Sequence, residues 1–151
     1  FHKADECRHM TAKGTYTLLI TLPEATTITF GAAGEVDLAA GGYAYTGSAF
    51  GAGGFSRIDR HRELAAGERD ARHWHIDYLL GYPQTALTDV VKTVGEDVEC
   101  RVARTIAAEA TPIDGIGASD CHCNTHLAYA PDIEELRRTV EQAHERAQTG
   151  D

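Results

Sequence analysis

Residues 42–61 carry side chains whose types and spacing suit chemistry on an anion. Tyr45 lies in a run that alternates aromatic and small residues, which predicts a strand. The segment 47–54 contains four glycines, and we expect it to leave the strand as a loop with accessible backbone N–H groups. Arg57 and His61 are four residues apart, so they share one face of a predicted helix. These groups together favour a phosphate as the bound anion.

Short motifs along the chain occur in the order of the GIY-YIG nuclease signature. Tyr45-Thr46-Gly47 stand where that family has Tyr-Ile-Gly, and Gly14-Thr15-Tyr16 stand where it has Gly-Ile-Tyr. Arg57 and His61 match the family's Arg-x-x-x-His. Two later strings are similar to a compact, stand-alone archaeal branch: His73-Trp74-His75-Ile76-Asp77-Tyr78 and Ser119-Asp120-Cys121. The chain therefore resembles the GIY-YIG endonuclease superfamily over about residues 13–127.

The resemblance implies metal-dependent hydrolysis of phosphodiester bonds in nucleic acid. It implies that Tyr16 helps to activate the attacking water, that Tyr45 supports it, and that Glu99 holds one divalent ion, Mg²⁺ or Mn²⁺. An ordinary phenol, with a pKa of about 10, is a poor base at neutral pH, so we expect Arg57 close by to favour the phenolate. His61 is expected to share a proton or to bind the leaving group. All five residues should then converge on one face of the fold.

The overall charge restricts where nucleic acid can bind. The formal net charge is −9 and lysine is rare, which is typical of a salt-adapted protein or simply of an acidic cytoplasmic one. Phosphate contacts need cations, so binding should depend on a local group of arginines. That group is Arg57, Arg60, Arg62, Arg69 and Arg72. The predicted nucleic-acid contacts are Gly47, Ser48, Arg60 and Arg62, with DNA favoured over RNA and a partner protein supplying specificity.

A second set of potential ligands is rich in histidine and cysteine. Its members are His73, His75, Asp77, Cys121, Cys123 and His126. The spacing of Cys121, Cys123 and His126 differs from that of standard zinc fingers, so we expect His75 to line the nuclease site instead. Zinc held by Cys121, Cys123 and His126 is the alternative. The resemblance also implies a late asparagine beside the site, for which Asn124 is the candidate.

Length and composition favour one domain over residues 13–151, with residues 1–12 as a leader or disordered segment. No apolar run approaches the length that spans a membrane, and we expect a cytoplasmic protein. Four cysteines without a secretion pattern predict reduced thiols. Two alternative functions stay open: a non-catalytic module of the same fold that binds nucleic acid or protein, and a small zinc-binding protein.

Hydrophobic periodicity predicts an α/β (α+β) fold, with a small mixed or mainly antiparallel sheet flanked by helices. The predicted strands are residues 15–22, 26–30, 35–38, 43–46, 87–94 and 126–129, and the second and third form a hairpin added to the GIY-YIG-like pattern. The predicted helices are residues 57–65, 73–80 and 96–110 and a last one after Asp132. Ser56 and Asp132 are the expected N-caps, Asp132 with Glu135 in a capping box. The segment 112–124 is predicted to be irregular.

Overall fold

A computed structural model describes residues 13–30, 34–50, 54–67, 75–113 and 126–149. The strands are β1 Gly14–Leu22, β2 Thr26–Thr29, β3 Glu35–Leu38, β4 Gly41–Ser48, β5 Ala86–Val94, β6 Thr111–Ile113 and β7 Leu127–Ala130. The helices are α1 Ser56–Ala65, α2 His75–Leu80, α3 Glu99–Glu109 and α4 Ile133–Thr149.

Five strands form one antiparallel sheet in the order β5-β1-β4-β7-β6, while β2 and β3 form a separate hairpin. This confirms the predicted fold class: helices flank an antiparallel sheet, with an added hairpin. The hairpin lies in sequence between β1 and β4, which still pair side by side. Tyr16 pairs with Gly47 and Leu18 with Tyr45, so the two tyrosines belong to neighbouring strands.

Strand β1 is buried on both faces, because helices cover the sheet on both sides. Tyr16, Leu18 and Ile20 lie in one core cluster with residues of α1, α2 and the hairpin; we call this side the tyrosine face. Leu19 lies in a second cluster with residues of α3 and α4. Side chains alternate along a strand, so Thr15 shares the side of Leu19, which we call the threonine face.

The junction between β4 and α1 differs from the prediction in two ways. Strand β4 continues to Ser48, so Gly47 does not begin a loop. Ser56 is not the N-cap of α1 but its first residue, and it follows Phe55. Phe55 is only 4% exposed, so its packing into the core, and not a side-chain cap, fixes where the helix begins. Residues 51–53 lie outside the described part.

The last helix agrees closely with the prediction. Asp132 Oδ1 accepts a hydrogen bond from the Glu134 N–H at 2.9 Å, which is the expected cap. The helix has an apolar stripe that is buried at Leu136, Val140 and Ala143. No helix in the described part of the chain is long and apolar enough to cross a membrane.

Three further predictions need correction or lie outside the described residues. Strand β6 was not predicted; it begins at Thr111 and extends into the segment expected to be irregular, of which residues 114–124 are outside the described part. Cys100 is disulfide-bonded, so the prediction of reduced thiols is wrong for this cysteine. Cys7, Cys121, Cys123 and the predicted leader at 1–12 also lie outside the described residues.

Candidate active site

A buried contact joins the first tyrosine motif to helix α1. Tyr16 Oη lies 2.8 Å from His61 Nε2, and each residue is 1% exposed. The pKa of His61 is lowered to about 4, mainly by burial; Asp77 opposes this shift, while Arg60 and Arg57 add to it. The imidazole is therefore neutral near neutral pH and has one ring nitrogen able to accept a proton.

Arg57 lies beside this pair, as expected, but it does not produce a phenolate. Its Nη1 donates to the Ser48 carbonyl oxygen at 2.6 Å, which holds the guanidinium against the end of β4. Burial and then Tyr45 raise the pKa of Tyr16, and they outweigh the charge and the hydrogen bond of Arg57, which lower it. Arg57 thus acts in the expected direction, and desolvation of the charged phenolate is the larger effect.

Tyr45 is the partly buried member of the tyrosine pair. Burial raises the pKa of Tyr45, Glu99 raises it further, and Arg57 lowers it. Because such electrostatic coupling falls off with distance, the Tyr45 hydroxyl is close enough to both the Glu99 carboxylate and the Arg57 guanidinium to be coupled to each.

Glu99 reaches these surroundings from the other side of the sheet. It is the first residue of α3, and that helix packs through Val102 and Ile106 on the threonine face. We expected Tyr16, Tyr45, Arg57, His61 and Glu99 to share one face of the fold. That expectation is wrong for Glu99, because its helix packs on the threonine face. The Glu99 carboxylate still raises the pKa of Tyr45 and, as the smallest contribution, that of Tyr16, so it is electrostatically coupled to both.

The hydroxyl of Thr15 fixes the start of α3. Thr15 Oγ1 donates to the Glu96 carbonyl oxygen and accepts from the Val98 N–H, both at 3.0 Å. These bonds engage backbone groups of Glu96 and Val98, just before the helix. This explains why α3 begins at Glu99 and not at Glu96 as predicted. The middle residue of the Gly-Thr-Tyr motif thus positions Glu99, while the next residue contacts His61.

A pocket of about 330 Å³ opens at the start of α3. It is lined by Asp97, Val98, Glu99, Cys100, Arg101 and Arg104. The Glu99 side chain is 21% exposed, so its carboxylate has access to solvent. The acidic part of the candidate site is therefore open enough to bind a hydrated cation.

Comparison with known protein families identifies one domain family that matches the chain. A sequence model of the family described as "Domain of unknown function DUF123" matches residues 15–149. The chain is a member of the DUF123 family. Neither the curated proteins nor the solved structures contain a significant match to it.

The arginines of this DUF123 chain do not all have the predicted surroundings. The Arg60 guanidinium binds both carboxylate oxygens of Asp77, at 3.2 and 2.9 Å, and the Asp77 side chain is fully buried. The Arg60 side chain therefore balances a buried charge and is only 15% exposed, and its contact with nucleic acid stays a prediction. Arg62 is exposed and lies 3.9 Å from Asp59. Arg69 and Arg72 lie outside the described residues.

The predicted histidine and cysteine ligands are described only in part. Helix α2 begins at His75, but the side chain of His75 is outside the described part, as are His73, Asp120, Cys121, Cys123 and Asn124 in full. His126 is described and lies beside Glu99. Among the described residues no group of three or more His, Cys, Asp or Glu side chains is arranged to hold a metal ion.

A buried polar network on the threonine face was not predicted. His144 Nε2 lies 2.8 Å from Thr17 Oγ1, and its Nδ1 lies 2.8 Å from Thr93 Oγ1. Thr17 also bonds Thr46 at 3.0 Å, so the network connects α4 to the strands β1, β4 and β5. The sequence signal that could have predicted this network is the position of His144, which directly follows Ala143 of the apolar stripe of α4.

Proposed function

We propose that this DUF123 chain is a metal-dependent endonuclease that hydrolyses phosphodiester bonds by GIY-YIG-type chemistry. The proposal depends chiefly on one observation: Tyr16 Oη lies 2.8 Å from His61 Nε2, and the positive charge of Arg57 acts on the same tyrosine. These three residues occupy the motif positions that carry the resemblance. DNA is the proposed substrate, and a partner protein or the shape of the DNA would supply specificity.

The phenol and the imidazole can act together as a base, although neither is charged at rest. A neutral His61 with its proton on Nδ1 accepts the Tyr16 proton at Nε2, while the Tyr16 oxygen takes a proton from the attacking water. The water oxygen forms a bond to phosphorus, the bond from phosphorus to the leaving oxygen breaks, and solvent protonates that oxygen. This relay avoids a free phenolate, which burial of Tyr16 disfavours.

Arg57 supplies a fixed positive charge beside the proposed reaction centre. Its Nη1 bond to the Ser48 carbonyl restricts the guanidinium, so little rearrangement is needed when negative charge develops on the phosphate. Preorganised donors of this kind stabilise the transition state more than the ground state. Tyr45, on the adjacent strand, is coupled to the charge of Arg57 and supports the same region.

The residues present fit one hard divalent cation, Mg²⁺ or Mn²⁺. Glu99 offers one carboxylate, is partly exposed, and borders an open pocket, so most of the ion's ligands would be waters. When bound, such an ion polarises the phosphate and stabilises the departing oxygen. Thr15 contributes by holding the backbone just before Glu99.

The proposal is tested with Tyr16→Phe and the matched control Tyr43→Phe. Tyr43 is equally buried on the tyrosine face, but its hydroxyl donates to the Ala39 carbonyl at 2.6 Å, away from His61. Cleavage of branched, duplex and single-stranded substrates is measured with Mg²⁺ and with Mn²⁺, at low and high salt. We expect Tyr16→Phe to lower the rate by about 10²–10⁴ and Tyr43→Phe to cut at nearly the wild-type rate.

Two outcomes would contradict the proposal. One is wild-type protein that binds nucleic acid tightly but cuts none of the substrates with either metal, which is the behaviour of a non-catalytic module. The other is equal activity in the two tyrosine variants, which would remove Tyr16 from the reaction.

A further inference from the structure

His126 is a buried histidine beside Glu99, which the sequence considered only as an alternative zinc ligand with Cys121 and Cys123. It is 4% exposed, and its Nδ1 lies 3.2 Å from Glu99 Oε2. That distance is within ion-pair range, yet neither ring nitrogen of His126 makes a hydrogen bond in the described part of the chain. Buried polar atoms are normally hydrogen-bonded, so a histidine left in this state next to a carboxylate needs a physical reason.

A shared cation accounts for both the distance and the poor hydrogen-bond geometry. Two ligand atoms that each lie about 2.1 Å from one octahedral ion, in adjacent positions, are about 3.0 Å from each other. The observed 3.2 Å between His126 Nδ1 and Glu99 Oε2 is close to that value. The lone pairs of both atoms would then point at the ion and not along the line between them.

We propose that His126 Nδ1 and Glu99 Oε2 together bind one divalent transition-metal ion, Mn²⁺ in the simplest case. Water and a phosphate oxygen complete the coordination. The proposal deepens the proposed nuclease function and relies on it for the role of the ion. It adds a nitrogen ligand to a site for which the sequence predicted Glu99 alone.

Both ligands are attached to the strands that carry the tyrosines. The His126 carbonyl oxygen accepts a hydrogen bond from the Thr46 N–H at 3.0 Å, between Tyr45 and Gly47 on β4. Thr15 on β1 holds the backbone before Glu99. The two ligand residues are therefore fixed from β4 and β1, and their spacing does not depend on an isolated surface side chain.

An imidazole ligand changes which metal the site prefers. Mg²⁺ is bound almost entirely by oxygen, whereas imidazole nitrogen suits first-row transition metals. The site should therefore bind Mn²⁺ more tightly than Mg²⁺, and His126 should account for much of that difference. A site built from Glu99 and water alone would discriminate between the two ions much less.

The test measures Mn²⁺ binding to the full chain directly, without substrate. Pulsed electron paramagnetic resonance of bound Mn²⁺ should show nitrogen hyperfine coupling from an imidazole in the wild-type protein. His126→Leu should abolish that coupling and weaken Mn²⁺ binding on the order of tenfold or more, while changing Mg²⁺ binding less. Glu99→Gln should weaken both metals. Glu96→Gln is the matched control, because Glu96 is an exposed acid just before the same helix and bonds Thr15 through its backbone carbonyl, which the substitution keeps.

The wild-type spectrum decides the matter even if His126→Leu does not fold. Bound Mn²⁺ without nitrogen coupling, or Mn²⁺ affinity that Glu96→Gln lowers as much as Glu99→Gln, would overturn the proposed ligand pair. No measurable Mn²⁺ binding would overturn it as well. Nitrogen-coupled Mn²⁺ in a protein that cuts no substrate would support the metal site and contradict only the nuclease function.

Discussion

Gly47 lies directly against the phenol of Tyr16. A Cβ atom on Gly47 would come 2.6 Å from Tyr16 Oη and 2.7 Å from its Cζ, closer than real side-chain contacts allow. The two residues are also paired across β1 and β4. The glycine of the Tyr-Thr-Gly motif is thus required for the space that the tyrosine ring occupies, and not for the loop that its sequence neighbours suggested.

We predict that Gly47→Ala destabilises the protein by about 1–3 kcal/mol, because the methyl group forces the Tyr16 ring or β4 to move. The same movement should break the contact between Tyr16 and His61. Urea unfolding measures the free energy, and Ser48→Ala serves as the control on the same strand, since Arg57 bonds the Ser48 carbonyl and not its side chain. Equal unfolding midpoints in the two variants would show that the close packing of Gly47 is absent.

The pair formed by Arg60 and Asp77 gives a second prediction. Arg60→Ala removes a cation that binds both oxygens of the fully buried Asp77 carboxylate, so we expect a loss of about 3–5 kcal/mol in unfolding free energy. Asp77→Asn in the same chain should recover part of that loss. Arg62→Ala changes an exposed residue and should cost about 0.5 kcal/mol or less. If Arg60→Ala is as stable as Arg62→Ala, the ion pair does not support the fold.

Arg62 is also the better test of nucleic-acid binding on α1, because its removal does not disturb the core. We predict that Arg62→Ala weakens binding to all sequences about equally and reduces the salt dependence, since phosphate contacts read no bases. Arg138→Ala, an exposed arginine on α4, is the control. Fluorescence anisotropy at several salt concentrations measures both effects. A larger loss for Arg138→Ala would locate the binding surface on the other side of the protein.

Sequence patterns predicted the elements well because the evidence for them is local. The alternation of Leu18, Ile20 and Leu22 marks β1, and Asp132 marks the start of α4, through contacts within a few residues. Local patterns could not predict which face of the sheet α3 covers. It depends on how distant segments pack, and periodicity shows only which residues of a helix point inward.

The candidate site depends on contacts of the same distant kind. Arg60 is a surface arginine by type, and only its contact with Asp77 shows that its charge balances a buried carboxylate. The contact of His126 with Glu99 likewise joins residues on separate elements. Motif order pointed to Tyr16 and His61, which the structure brings within 2.8 Å of each other; their catalytic role stays a prediction.

Two buried histidines predict a loss of stability in acid. Burial lowers the pKa of His144 and of His61 from 6.5 to about 4. Between pH 6.5 and about 4, the two histidines bind protons in the unfolded chain but not in the folded chain. The stability that the neutral histidines contribute is therefore fully present above pH 6.5 and falls as the pH drops towards about 4. Each histidine should lower the unfolding free energy by up to about 1.4 kcal/mol per pH unit.

The contribution of His144 can be separated by comparing wild type with His144→Gln. Urea unfolding at several pH values gives the slope of stability against pH for each protein. Carboxylates contribute to both slopes, so the difference isolates His144. We expect a shallower slope in the variant, although its stability near neutral pH falls with the loss of the Thr17 and Thr93 hydrogen bonds. Identical slopes would mean that His144 titrates equally in both states.

Thr15 gives the last prediction, because it connects the first motif to the acidic residue. Thr15→Val keeps the shape of the side chain but removes the hydroxyl that bonds both the Glu96 carbonyl and the Val98 N–H. Loss of partners for two backbone groups should cost about 1–3 kcal/mol, and Mn²⁺ binding at Glu99 should weaken because α3 is less firmly held. Thr15→Ser retains the hydroxyl and should preserve metal binding. Urea unfolding and Mn²⁺ titration of both variants provide the test. If the Thr15→Val and Thr15→Ser proteins bind Mn²⁺ equally well, the hydroxyl does not position Glu99.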